Sequence, residues 1–470
     1  MKKGSFPGTL SIVAALSFLV LLGSAQAQLT ILEVGPHGTY TKIQDAIDVV
    51  VSGVDTEIRV EGASTYVENL VIPFSFNAGT LTLLGGWDMT FSDRIFLPQD
   101  TVIDGNQAGR VLDMFLVEGS LVVDGFTITN GLAASSGGGV RIDPSGDSHA
   151  TLDHVRIIGN TVTSAGSASG GGLGVELYAN QRVEVLNCRI KDNLATSTGG
   201  GGGFGGGVSL RVIGDSSFLI QGCEIDQNTV QSSGQVQGAG VKAYLQDNAQ
   251  GELLDNSIVD NIADGTDVWS IGAQLDTRDF SFLNVERTAF GVNMALGGDS
   301  GAQVRTNSGA SSSLRMSDSI VGLGDYDGLL VEADNSSTVN LVNLTVVDNA
   351  EDGIEMNQFG MATMTLYNTI SFGNLVDLRT SGTVDTGSNL IGIDPLFVNP
   401  ATIDFRLGLG SPAENAGDNT PPGNLGAFDF ARDPRVKDVT VDIGAYEGIS
   451  EVFSDGFESG DTSPWSSTLP

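Results

Sequence analysis

Eight pairs of a glycine followed directly by an apolar residue recur in phase along the middle of this chain, at intervals of 25 to 35 residues. The pairs are Gly139-Val140, Gly172-Leu173, Gly207-Val208, Gly240-Val241, Gly272-Ala273, Gly301-Ala302, Gly328-Leu329 and Gly353-Ile354. A repeat of this length is typical of proteins that stack one small unit on the next, because a single unit cannot bury its apolar side alone. The repeat therefore predicts a stacked fold in which every unit presents the same face to solvent.

Each glycine opens a short strand pattern. In GVSLRVI, Val208, Leu210 and Val212 alternate with polar residues, which indicates a strand with one buried face. A second strand follows in each unit and usually ends in an asparagine, as at Asn160, Asn193, Asn228, Asn261 and Asn349. Asparagine and glycine tolerate left-handed backbone angles, so we expect them at the corners between strands. We also expect Asn160, Asn193, Asn228 and Asn261 to stack as a ladder, each amide bonding the next.

No long helical pattern interrupts residues 120–375, so the units predict an all-β fold, a parallel β-helix. The sequence suggests a signal peptide at 1–27, an N-terminal cap with the first rungs at 28–110 and regular rungs at 111–388. A capping segment at 389–448 and an acidic, flexible tail at 449–470, a possible sorting tag, complete the predicted division. The stretch TYTKIQDAIDVV has helical spacing and predicts a short helical cap at the open end.

The formal net charge of −35 makes nucleic acid and anionic membranes poor partners. The predicted signal peptide indicates an exported protein, secreted or on the outer surface, and no candidate membrane span follows it. We also expect a monomer. The sequence implies no cofactor, although Asp- and Asn-containing turns leave calcium open. Cys188 and Cys223 are expected as buried neighbours on adjacent rungs, about 4.8 Å apart. A stacked pair of thiols is preferred over a disulfide there, and both remain open.

The outward positions of the glycine-opened strands form two predicted rows. The first contains Arg141 and Lys242, and the second runs through Asp143, Glu176, Arg211, Tyr244, Asp276 and Arg305. They place eight side chains on one face: Arg141, Asp143, Glu176, Arg211, Lys242, Tyr244, Asp276 and Arg305. Rungs repeat about every 4.8 Å, close to the length of a sugar residue, so cations and an aromatic ring on this face predict a groove for a glycan. The alternative is an ordinary solvated face with weak Glu176–Arg211 and Asp276–Arg305 pairs. Asp143 and Glu176, about 5 Å apart across adjacent rungs, could form a carboxylate pair or a calcium site.

Several stretches resemble the right-handed parallel β-helix proteins of the pectin-lyase-like superfamily. GTYTKIQDAID and STYVENLVI are similar to the start of pectin methylesterases, where Tyr66 and Glu68 match a packing motif. The segment DPLFVNP…DFRL…SPAENAGD…VDIGAYE is similar to the C-terminal end of a bacterial surface β-helix group. The resemblance implies a single-stranded, right-handed solenoid of about ten to twelve rungs.

The catalytic motifs of the enzyme branches are missing or out of place. RIK at 189–191 has no histidine partner, and RDPR at 432–435 lies in the C-terminal segment, where the resemblance implies a structural turn. His37, His149 and His154 do not have the spacing of a zinc site. We therefore expect an adhesin-like glycan-binding protein without catalysis and leave its catalytic residues unassigned. The alternative is a polysaccharide lyase or related pectin-active enzyme, assisted by calcium, with Arg211 or Lys242 as the base.

Overall fold

The computed structural model describes residues 29–72, 75–94, 100–116, 118–298 and 301–448. Within these ranges the chain winds into a solenoid of three long parallel sheets, which we name sheets A, B and C. Sheet A has 13 strands and sheet B has 12, so the coil reaches the upper end of the predicted rung number. The predicted signal peptide and tail lie outside the described residues.

The strands are short and follow each other in the order A, B, C around each rung. Sheet A contains Thr30–Val34, Thr56–Glu61, Ser75–Trp87, Glu118–Asp124, Ser148–Asp153, Arg182–Leu186, Ser217–Gln221, Gln250–Leu254, Phe282–Glu286, Ser313–Ser317, Thr338–Val342, Thr363–Tyr367 and Asp385–Gly387. Sheet B contains Ser64–Val67, Thr101–Asp104, Thr127–Thr129, Arg156–Ile158, Arg189–Lys191, Glu224–Asp226, Ser257–Val259, Ala289–Gly291, Ile320–Gly322, Thr345–Val347, Ile370–Phe372 and Leu390–Ile391.

Sheet C has 18 strands in the described chain, because some rungs contribute more than one strand to it. They are Leu70–Ile72, Leu112–Met114, Leu132–Ala133, Val140–Ile142, Thr161–Ser164, Ala168–Ser169, Leu173–Leu177, Leu194–Ser197, Gly203–Phe204, Val208–Ile213, Thr229–Gln237, Val241–Gln246, Ile262–Thr277, Met294–Leu296, Ala302–Ser308, Asp327–Ala333, Asp352–Gln358 and Val376–Ser381. Alternate residues of all three sheets point inward and form one continuous apolar core.

The predicted asparagine ladder is present and extends further than the sequence indicated. Each buried amide nitrogen donates to the amide oxygen on the next rung, at 2.9–3.1 Å for the Asn160–Asn193, Asn193–Asn228 and Asn228–Asn261 steps. Asn293 and the buried Gln303 continue the series beyond Asn261. Each ladder oxygen also accepts a backbone N–H, so the ladder satisfies polar groups that would otherwise be buried without partners.

The prediction that the ladder asparagines adopt left-handed angles is wrong. The left-handed residue is the one before each asparagine, for example Asp192 (φ 54°) and Asp260 (φ 55°), and this residue makes the corner. The asparagine itself has a right-handed or extended backbone, so its side chain points inward and reaches the next rung. The corner and the ladder are therefore made by two consecutive residues with separate roles.

The eight repeating glycines are also not left-handed, contrary to the prediction that they form the other corner. In most of the rungs glycine is required at this position because the backbone lies against the asparagine ladder. A Cβ atom on Gly172 would lie 2.8 Å from Asn193 Nδ2, and one on Gly207 would lie 2.9 Å from Asn228 Nδ2. Real Cβ atoms essentially never come so close, so only glycine fits beside the ladder. The glycine repeat and the asparagine repeat therefore belong to one packing arrangement.

The longer intervals in the repeat correspond to an outward excursion between the ladder asparagine and the glycine. The excursions stack into a second set of parallel strands within sheet C, which we call the ridge. Its strands are Leu132–Ala133, Thr161–Ser164, Ala168–Ser169, Leu194–Ser197, Gly203–Phe204, Thr229–Gln237, the first part of Ile262–Thr277 and Met294–Leu296. The ridge has a small apolar core of its own, with members such as Val162, Ala195 and Val230. Units near residue 350 have no such excursion, which explains their interval of 25 residues.

The ends of the coil are covered by two different structures. The short helix Ile43–Ile47 buries Ile43, Ala46 and Ile47 at the N-terminal end, and Glu68 accepts hydrogen bonds from the N–H groups of Ile43 and Gln44.

The described residues contain no helix with the length and apolar character that a membrane span needs.

The segment after Leu390–Ile391 runs back along the flank of the solenoid. It contains the antiparallel pair Phe397–Asn399 and Asp404–Leu407 and the 3₁₀ turn Pro400–Thr402. Its Arg432 reaches Asp255 (3.0 Å), and its Gly444 N–H donates to the Asn368 carbonyl. The segment is thus held along several rungs as well as at the end.

The two cysteines are free and lie on adjacent rungs, both buried. The Cys188 N–H donates to the Cys223 sulfur at 3.4 Å. Burial raises the pKa of the Cys188 thiol well above its usual value, and the neighbouring Cys223 adds to the shift. The pair therefore forms part of the packed core in its thiol form.

Candidate functional site

A cleft of about 440 Å³ lies between the outward face of sheet C and the ridge. Four of the eight predicted site residues line it: Glu176, Arg211, Lys242 and Tyr244. The ridge supplies the opposite wall, with Ser136, Ser169, Phe204, Gln235 and Gln237. These wall residues were not among the predicted site residues, because the prediction used only the glycine-opened strands and the wall residues lie between those strands. Their alternation in VQSSGQVQ was an available sign of strand structure there.

The strands of sheet C place the cleft residues on successive rungs. Glu176 is paired in register with Arg211, Arg211 with Tyr244, and Tyr244 with Asp276. This is the order of the second predicted row. Since rungs repeat about every 4.8 Å, the row forms a ladder of polar groups along the axis of the coil.

The predicted position of Arg305 is wrong. The register of Ile262–Thr277 with Ala302–Ser308 shifts between Ser270 and Ala273, so Arg305 lies opposite Gln274. Arg305 therefore belongs to the first row, and Asn307 lies beside Asp276. The predicted Asp276–Arg305 pair does not form, and Arg305 instead bonds Glu332 at 2.6 Å.

Three of the four predicted cations on this face are held by carboxylates. Arg141 bonds Asp113 at 2.8 Å and its guanidinium lies 4.3 Å from the centre of the Phe115 ring. Arg305 bonds Glu332 and stacks 4.4 Å from the centre of the Trp269 ring. Lys242 forms an ion pair with Asp276. Burial lowers the pKa of the Lys242 ammonium, while Asp276 opposes that shift.

Arg211 differs from these cations. It is exposed to solvent, and within the described residues no carboxylate lies at ion-pair distance from it. Its guanidinium lies 6.0 Å from the centre of the Tyr178 ring, at the outer limit of a cation–π contact. A guanidinium keeps all its donors charged and available in water, so Arg211 can bind an acidic ligand without first breaking an ion pair.

Glu176 is engaged by Tyr178 and not by Arg211. The Tyr178 hydroxyl donates to Glu176 Oε2 at 2.7 Å, and this hydrogen bond is the main reason that the pKa of Tyr178 is raised. The expected Glu176–Arg211 pair is therefore absent. Asp143 lies beside the cleft, outside its lining, and its pKa is raised first by burial and then by the Glu176 charge.

The histidines lie away from the cleft. His37 bonds Glu61 at 2.8 Å and His149 lies 3.2 Å from Glu184. Among the described side chains, one group of three could share a metal ion: Asp124, Asp153 and His154, at the corner between sheets A and B. Asp143 and Glu176 are not part of such a group in the described chain.

Residues 114–307 match a family model described as a right handed beta helix region. Over these residues the chain has the fold that this description names, a right-handed parallel β-helix. The matched residues include the rungs of the cleft and the whole ridge.

Solved structures that match this chain include the following two. The pectate lyase Pel9A shares 13% identity with a TM-score of 0.47, over 89% of this chain and 96% of that one. XylC in complex with xylose shares 9% identity with a TM-score of 0.35, over 89% and 99%. Values this low say nothing about activity. Comparison with curated proteins found no match.

Proposed function

We propose that this protein binds an extended glycan bearing acidic groups in the cleft between sheet C and the ridge, without chemically changing it. The proposal rests on Arg211, which is exposed and has no ion-pair partner in the described chain. Arg211 lines a cleft of about 440 Å³. The proposal places the protein outside the cell, secreted or on the surface, where glycans of this kind occur.

The other cleft residues suit a carbohydrate. Tyr244 and Phe204 offer aromatic surface for a sugar ring, and Ser169, Gln235 and Gln237 offer hydroxyl and amide groups for sugar hydroxyls. The rung spacing of about 4.8 Å is near the length of one sugar residue, so an extended chain could meet equivalent groups on consecutive rungs. Arg211 would pair with an acidic substituent through two parallel hydrogen bonds.

Lys242 supports a second candidate function, a lyase acting on the same type of ligand. A lysine whose pKa is lowered by burial holds its proton less tightly and is better suited to act as a base. Its ion pair with Asp276 favours the charged form, and in that state it cannot accept a proton. This candidate therefore requires that ligand binding separates Lys242 from Asp276.

The test is titration calorimetry of the mature protein with oligosaccharides of matched length, one uronate-based and one neutral. We expect the acidic ligand to bind more tightly and Arg211→Ala to weaken it at least about 10-fold, since a hydrogen bond to a charged group contributes roughly 1.5–3 kcal/mol. Arg182→Ala is the matched control, because Arg182 is an exposed cation on sheet A, outside the cleft. Equal binding by the Arg211→Ala variant would exclude this site.

Ultraviolet absorbance of the same mixtures, with and without calcium, separates binding from lyase chemistry. A lyase creates an unsaturated product that absorbs, whereas a binding protein leaves the absorbance flat. A rise that disappears in Lys242→Met would favour the second candidate over the first.

A further inference from the structure

We propose that Asp124, Asp153 and His154 bind a divalent transition-metal ion such as Zn²⁺ at the corner between sheets A and B. One ligand atom from each of the three residues lies within 4.8 Å of the other two. His154 Nδ1 is 2.8 Å from Asp153 Oδ1 and 3.8 Å from Asp124 Oδ1. The site is separate from the cleft on sheet C.

The coil itself brings the two carboxylates together. Asp124 ends Glu118–Asp124 and Asp153 ends Ser148–Asp153, and the two residues are paired in register on neighbouring rungs. His154 follows directly, with a left-handed backbone (φ 50°), so it makes the corner beside both acids. An ion here would join two consecutive rungs.

One carboxylate oxygen of Asp124, Oδ1, is buried without a hydrogen-bond donor in the described chain, and this points to a ligand independently of the distances. Its other oxygen, Oδ2, accepts a hydrogen bond from Arg94 at 2.8 Å, which fixes the carboxylate with Oδ1 towards the imidazole. A buried carboxylate oxygen without a donor is costly unless a cation or another ligand satisfies it.

The surrounding residues hold the proposed ligands in place. Asn187 donates to Asp153 Oδ1 at 3.0 Å, as hydrogen-bonded carboxylates commonly do around metal sites. The His154 side chain is 39% exposed, which leaves room for water to complete the coordination. Two carboxylates and one guanidinium give a local charge of −1, which favours a divalent cation but more weakly than two acids alone would.

The imidazole decides the class of ion. Nitrogen ligands suit zinc, copper, nickel and iron, whereas calcium and magnesium prefer oxygen ligands throughout. We therefore expect Zn²⁺ to bind and Ca²⁺ not to compete.

The experiment uses the low histidine content of the chain. Untagged protein carries three histidines, so imidazole-labelled NMR spectra should show one signal each for His37, His149 and His154. We expect Zn²⁺ to shift or broaden the His154 signal first, with no effect of Ca²⁺. His154→Asn and Asp124→Asn should each weaken Zn²⁺ binding in calorimetry at least about 10-fold.

His149→Asn is the matched control, because His149 contacts a single carboxylate, Glu184, and should leave Zn²⁺ binding unchanged. Circular dichroism and the thermal midpoint verify that each variant is folded, and Zn²⁺ should raise that midpoint in the native protein but not in Asp124→Asn. The proposal is overturned if millimolar Zn²⁺ leaves the His154 signal in place, moves all three signals alike, or binds Asp124→Asn as tightly as the native protein.

Discussion

Replacing Asn228 with aspartate changes one atom in the middle of the asparagine ladder and tests whether the ladder stabilises the coil. The native amide makes four hydrogen bonds. Its Nδ2 donates to the Ile190 carbonyl at 2.9 Å and to Asn261 Oδ1 at 3.0 Å. Its Oδ1 accepts from Asn193 N at 3.1 Å and from Asn193 Nδ2 at 2.9 Å. Aspartate keeps the two accepted bonds but replaces the donor with an oxygen that faces two other oxygens.

The size of the effect follows from this count. Asn228 is fully buried, and the change leaves the Ile190 carbonyl without this donor and places a carboxylate oxygen against Asn261 Oδ1. Each buried polar group that loses its partner costs roughly 1–3 kcal/mol, so we expect the free energy of unfolding to fall by about 4 kcal/mol at pH 7. The charge adds to this cost because burial penalises a carboxylate.

The pH dependence identifies the cause. Burial should raise the pKa of the new carboxyl in the folded protein above its unfolded value of about 3.9. Protonation is then more favourable in the folded state, so the deficit is smallest near and below that unfolded value and grows as the pH rises through the folded pKa. Protonated aspartate can also donate one hydrogen bond again. Urea unfolding followed by circular dichroism between pH 4 and pH 8 measures this slope.

Asn335→Asp is the control for this experiment. Asn335 is exposed at a turn and has a left-handed backbone (φ 52°), which aspartate also tolerates. We expect its effect to stay within about 0.5 kcal/mol at every pH. If Asn228→Asp costs no more than Asn335→Asp at pH 7, the ladder is not a stabilising feature and the argument is refuted.

Three further predictions test other parts of the fold. Gly207→Ala should lower stability by about 1–3 kcal/mol through collision with the ladder, whereas Gly109→Ala, where the nearest atom is 3.6 Å away, should be neutral or stabilising in the same urea assay. Burial raises the pKa of Glu447 to about 7 from 4.5, so the stability present below pH 4.5 should decline by up to about 3 kcal/mol as the pH rises through 7, and Glu447→Gln should remove that decline in thermal melts. Cys188 and Cys223 should resist a thiol reagent in native protein and react only after unfolding, and rapid native labelling would contradict their burial.

The fold could be predicted because its signals are local and repeated. Alternation within Val208–Ile213 is visible in the sequence, and so is the regular return of asparagine at Asn193 and Asn228. The reason for the glycines could not be predicted in the same way. It depends on the distance between Gly207 and an amide one rung further along the chain, which appears only when the rungs are stacked. Tolerance of left-handed angles was a plausible alternative for the same residues and proved wrong.

The candidate site was predictable only where the register stayed regular. The order Glu176, Arg211, Tyr244 and Asp276 follows from counting two-residue alternation from each glycine. The position of Arg305 could not be predicted in this way, because a register shift in the preceding strand moves Arg305 to the other row. Side-chain pairing was also beyond the sequence, since each charged residue has several possible partners on neighbouring rungs.

These pairings decide which cations remain available to a ligand. On a chain with a net charge of −35, a surface arginine will usually find a carboxylate nearby, and the ion pairs of Arg141 and Arg305 follow that expectation. Arg211 has one acid on the adjacent rung, Glu176, and another two rungs away, Asp276. Glu176 accepts a hydrogen bond from Tyr178, and Asp276 forms an ion pair with Lys242. The arginine is therefore left exposed by the hydrogen bonding of its neighbours. It follows that Tyr178→Phe, which frees Glu176 to pair with Arg211, should weaken binding of an acidic glycan while leaving the cleft residues in place. Unchanged affinity in that variant would argue against Arg211 as the group that selects the ligand.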